Sequence, residues 1–161
     1  MIRYQDLSPD AIQALFVRYG IVIQCVQQDQ DIPHSFWGSP EAGRLVETLY
    51  IRADTPIHSL LHESGHYICM PGAQRKQRVV DAKGSAMEEN ACCYLQVLLA
   101  DRLEGYDREQ LMKDMDDWGY SFRLGSAKSW FTEDAEEVKK WLIEHKIINP
   151  DGEITWQLRQ N

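Results

Sequence analysis

At 161 residues, the chain has the length of a single domain. Hydrophobic residues make up 43% and charged residues 26%, a balance that suits a packed globular core rather than a disordered tract. The formal net charge of -8, from 17 basic and 25 acidic residues, argues against general nucleic-acid binding, which needs a basic face to displace counterions from phosphates. No apolar run approaches the ~20 residues that span a bilayer, and Asp6 and Asp10 interrupt the stretch where a signal-peptide core would lie. The four cysteines (Cys25, Cys69, Cys92, Cys93) form no C-x-x-C pair. The expectation is a reduced, cytoplasmic protein without a disulfide framework.

Taken in chain order, Ser8-Pro9-Asp10 predicts a helix start: an N-cap, a proline at the first helical position and an acid in the first turn. Ala11, Ile12, Leu15, Phe16 and Tyr19 then recur at helical spacing, and Gly20 stops the run. Ile21 to Val26 predicts a buried strand, Gln27 to Pro40 a loop, and Leu45 to Ile51 a second strand. Thr55-Pro56 opens a helix that runs to Met70, before Pro71-Gly72. Gln74 to Ser85 is expected to be a solvated polar linker, carrying Arg75, Lys76, Arg78 and Lys83. An apolar helix follows from Ala86 to about Leu103, then a capped helix from Asp107 to about Trp118. Thr132 is expected to cap a last helix from Glu133 to about His145, and Asn149 to Gly152 to turn a terminal hairpin. The fold class expected is α+β: a single domain over residues 1–161, with a core over 1–105 and a helical extension over 106–161.

Three of the five histidines, His58, His62 and His66, fall within nine residues. His62-Glu63-Ser64-Gly65-His66 is H-E-x-x-H inside the predicted helix. Residues i and i+4 share a helix face, so His62 and His66 can hold one ion at about 2.0–2.1 Å from each nitrogen. Glu63 is then placed to act as general base on a water that the ion activates. Chemistry at such an ion calls for a third protein ligand and an open position. The next buried helix offers Glu88 and Glu89. Periodicity favours Glu88, which shares the apolar stripe of Ala91, Cys92, Leu95 and Leu99. Glu89, turned about 100° away toward Cys93 and Gln96, stays open as the alternative.

H-E-S-G-H followed by E-x-x-A-x-x-Y-x-x-x-L-L resembles the gluzincin metallopeptidases, particularly the minimal ImmA/IrrE-type group. The resemblance runs over roughly Ile12 to Leu99. It implies a zincin-like domain, with a small sheet packed on the H-E-x-x-H helix and a buried helix after it. It also implies His62, His66 and Glu88 as zinc ligands, Glu63 as the base, and a peptide or protein substrate. Ala91, Tyr94, Leu98 and Leu99 match the family's packing positions. Cys92 stands where the family has Asp or Asn, so the usual hydrogen-bond acceptor for a ligand histidine is missing there. A shorter stretch, His62 to Arg75, is similar to the elongation factor P hydroxylases. That second likeness implies Fe2+ in place of Zn2+, since two histidines and a carboxylate also suit non-haem iron. A catalytically inactive, metal-stabilised interaction module is the third reading.

His58 extends the histidine face by one turn. It is read as a donor behind the ligands, a substrate contact, a spare ligand or a partly buried first-turn histidine. His58, Tyr67 and Tyr94 are the candidate oxyanion partners. Cys69 and Cys92 approach the site, where free cysteine ordinarily serves as a small buried hydrophobe. Trp118 to Phe131 is aromatic-rich, either a cover for the core or a substrate wall.

Overall fold

The computed structural model describes residues 1–77 and 84–161. Ser8 caps α1 (Pro9–Val17) by accepting a hydrogen bond from the Ala11 amide at 3.3 Å, and Ile12, Leu15 and Phe16 turn inward. The strands are β1 (Val22–Cys25), β2 (Gly43–Leu45) and β3 (Thr48–Ile51). They pair in the order β1-β3-β2, with β3 central, parallel to β1 and antiparallel to β2.

Two strand expectations change. The single strand expected from Leu45 to Ile51 is instead a hairpin whose two-residue loop is Val46-Glu47. Val46 lies at φ 54°, the positive φ that tight hairpin loops demand, and its carbonyl accepts from Arg44 Nη1 at 3.1 Å. The strand expected to be buried from Ile21 to Val26 forms the sheet edge as β1. Ile21 is buried, whereas Val22 is 49% exposed.

Helices follow: α2 (Ile57–Cys69), α3 (Gly72–Arg75), α4 (Ala86–Ala100), α5 (Arg108–Trp118), α6 (Ala127–Glu133) and α7 (Glu136–Glu144). Seven helices and a three-stranded sheet among the described residues make the fold α+β. None of the described helices is long and apolar enough to cross a membrane. The helix expected from Glu133 to about His145 is α7, starting three residues later, and α6 precedes it where no helix was expected. Ser126 caps α6, while Thr132 lies inside it and returns its hydroxyl to the Lys128 carbonyl at 2.8 Å. The expected terminal hairpin is reduced to one bridge, Ile148 to Ile154. Buried residues from α1 to Ile154 join one core, so residues 106–161 pack into the same interior as those before them.

The linker expectation also changes. Arg78 and Lys83 lie outside the described residues, but Arg75 is buried. Its guanidinium donates to the carbonyls of Tyr67 (3.0 Å), Ile68 (3.3 Å) and Met70 (2.9 Å). Arg159 adds a bond to the Cys69 carbonyl at 3.1 Å. Two cations thereby satisfy the open carbonyls at the C-terminal end of α2, where the helix dipole favours positive charge.

The site depends on how closely α2 and α4 approach. A Cβ placed on Gly65 would lie 2.5 Å from Cys92 Sγ and 3.3 Å from the Cys92 carbonyl oxygen. Only a glycine in α2 lets the two helices meet at this point. Gly65→Ala is expected to lower the unfolding free energy by about 1–3 kcal/mol through overpacking. Adding Cys92→Ala in the same chain should recover part of that loss, as read by denaturant titration of the single and double variants.

Candidate metal centre

α2 brings His62 and His66 onto one face, as the i, i+4 spacing requires. Their Nε2 atoms lie 3.0 Å apart, with the ring planes at 89°. One carboxylate meets both: Glu89 Oε1 lies 3.1 Å from His62 Nε2, and Oε2 lies 3.2 Å from His66 Nε2. Glu89, rather than the expected Glu88, therefore faces the histidines. Glu88 pairs with Arg159 at 2.9 Å on the side of α4 that meets the end of α2. The reason lies in α4 itself. Cys92, Cys93, Leu95, Gln96 and Leu99 are all buried, so an apolar stripe does not single out the side that faces the site.

Gln96 decides what His62 can offer. Its Nε2 faces the His58 carbonyl at 2.9 Å and must be the donor there. That leaves Oε1 as an acceptor 2.8 Å from His62 Nδ1. The His62 hydrogen is drawn to Nδ1, and its Nε2 lone pair turns toward Glu89 and His66. Gln96 thus supplies the acceptor that Cys92 cannot, since the Cys92 thiol donates to the His62 carbonyl at 3.0 Å. Burial pushes that thiol up to about 12, which keeps it protonated. Sequence reasoning missed Gln96, although a glutamine inside an apolar helix, seven residues after Glu89, is a visible signal on the same helix face.

Three lone-pair donors facing one another need a positive charge among them. With only protons available, the histidines divide the task unequally. Burial pushes His66 down to about 4, and the neighbouring His62 adds to the shift. His62 moves up despite its burial, with the Glu89 carboxylate against its Nε2. Burial alone would raise Glu89, but the His62 hydrogen bond and charge outweigh it and hold the carboxyl below the ordinary range. A divalent cation answers the same need. Donor atoms 3.0–3.2 Å apart leave room for an ion bonded at about 2.0–2.1 Å to each. The Cys92 thiol lies within 4.8 Å of His62 and His66 donor atoms, and the Cys93 thiol within 4.8 Å of those of His62 and Glu89.

Glu63 lies beside this cluster, and both border a cavity of about 510 Å³ that Tyr120 and Trp118 also line. Burial raises the Glu63 carboxyl, Glu41 and Glu89 add to the rise, and His62 and Arg44 oppose it. Of the three expected oxyanion candidates, none lines the cavity. His58 is fully buried, with Nδ1 3.1 Å from the Tyr120 hydroxyl and Nε2 without a partner. Tyr67 lies under Arg75, and Tyr94 packs on Phe131. Tyr120 and Trp118 line the cavity, while Phe122, Trp130 and Phe131 of the same aromatic stretch pack on the core. Cys69 is a buried free thiol, while His145 stacks on Trp141 away from the cluster.

Comparison of the chain with family models, curated proteins and solved structures yields no match. The functional reading therefore rests on the geometry above.

The buried histidines make a pH prediction. Burial pushes His58 down to about 4 from 6.5, so the unfolded chain binds this proton first as the pH falls. His58 contributes full stability above about pH 6.5, and the contribution drains away toward pH 4. The loss expected from His58 alone is about 3 kcal/mol. Unfolding curves across that interval should show it, and His58→Phe should flatten that part of the profile.

Proposed function

We propose that the chain is a zinc-dependent hydrolase acting on peptide or protein substrates. The observation that carries the reading is the convergence of His62, His66 and Glu89 beside a cavity that Glu63 also borders. Two histidines and one carboxylate leave a position open for chemistry. Zinc bound there would polarise a substrate carbonyl and lower the pKa of water to about 7.

The chain's own residues then have separable tasks. Gln96 holds His62 in the tautomer whose Nε2 lone pair is free. Glu63 takes a proton from the attacking water and returns it to the leaving amine. Burial raises that carboxyl, which favours its return of the proton to the leaving amine. Tyr120 lines the cavity while its hydroxyl is tied to His58 Nδ1. The same donor set suits Fe2+ as well. Four free thiols support a reducing, cytoplasmic setting.

Glu63→Gln should retain the ion and lower hydrolysis of a quenched peptide mixture by about 10²–10⁴-fold. Undiminished hydrolysis would contradict the general-base role. Gln96→Leu should weaken zinc binding by about 10–100-fold, measured by competition with a chromogenic chelator.

A further inference from the structure

We propose that the cavity beside Glu63 receives a cationic side chain, lysine or arginine, from an extended peptide. This inference rests on the peptide-hydrolase reading and names the substrate class of the same site. Trp37 is 79% exposed and Trp118 is 37% exposed, and both line the cavity. A large indole left in water is the kind of exposed apolar group that calls for a partner.

The second observation is charge. With Glu89 committed to the ion and Glu63 to the attacking water, Glu41 is the lining carboxylate left to meet a guest, and among the described residues lining the cavity there is no lysine or arginine. Trp118 Nε1 donates to Glu41 Oε1 at 2.7 Å, which fixes a carboxylate next to an indole and leaves the second oxygen of Glu41 available. The nearby Arg44 offsets the charge of Glu63 while its guanidinium bonds the Val46 carbonyl and lies over the Tyr67 ring, which leaves Glu41 to face a guest. Indole faces attract cations through their quadrupole, and the adjacent carboxylate adds a charged acceptor for an ammonium or guanidinium. Glu41 also repels an acidic side chain, so selection works by exclusion as well as attraction.

The test uses the zinc-loaded Glu63→Gln variant and five peptides, acetyl-Ala-Ala-Xaa-Ala-Ala-amide with Xaa as Arg, Lys, Leu, Phe or Glu. Calorimetric titration at low salt should give Arg and Lys peptides affinities about ten-fold or more above Leu and Phe, with Glu weakest. Adding Glu41→Gln or Trp37→Ala should erase that advantage while zinc content stays unchanged. Equal or tighter binding of the Leu, Phe or Glu peptide would overturn the proposal. So would failure of the Arg and Lys peptides to saturate at millimolar concentration, or a preference that survives both substitutions. Zinc retained with a flat peptide series would sink this inference alone. An Arg preference without zinc at His62 and His66 would sink the hydrolase reading alone.

Discussion

Gln96 joins α4 to α2 twice, donating to the His58 carbonyl and accepting from His62 Nδ1. The rest of the site follows from that bridge. With its hydrogen held at Nδ1, His62 presents a lone pair to a space already occupied by the Glu89 carboxylate and His66 Nε2. Such an arrangement is costly unless a proton or a metal ion neutralises it. The glycine at position 65 makes the bridge reachable, because α2 and α4 could not otherwise come close enough at Cys92. Packing and electrostatics are therefore one problem here: the contact that closes the core also sets the donor atoms.

The regions beyond α4 complete this arrangement. Tyr120, in the loop after α5, reaches the cavity and bonds His58. Arg159, near the end of the chain, holds Glu88 and the Cys69 carbonyl together. That contact ties the start of α4 to the end of α2, next to the carboxylate that matters. Glu89 itself is half exposed, so the cluster is open to solvent on one side while His58 and Gln96 behind it are sealed. An accessible front and a dry back suit a site that must admit a ligand and still hold its histidines rigidly.

Much of this was legible in the sequence, for identifiable reasons. The i, i+4 spacing of His62 and His66 is a local helical property, and the caps at Ser8 and Asp107 act within a few residues. Those features need no knowledge of the tertiary fold. Choosing between Glu88 and Glu89 did need it. Periodicity identifies a buried face only where another face is exposed, and α4 is enclosed by α2, α5 and α7. The same limit applied to Arg75, whose polar neighbours suggested a solvated linker although its guanidinium closes the end of α2. It applied again to the strand expected over Leu45 to Ile51, where a left-handed Val46 makes the turn without glycine or asparagine to signal it.

Under the proposed function a metal ion, rather than a proton, joins α2 to α4. Anomalous scattering at the zinc edge from crystals grown without chelator tests it most directly. One strong peak is expected within bonding distance of His62 Nε2, His66 Nε2 and a Glu89 oxygen. Absence of a peak there from zinc-replete crystals, or a peak coordinated by Glu88 instead, would contradict it.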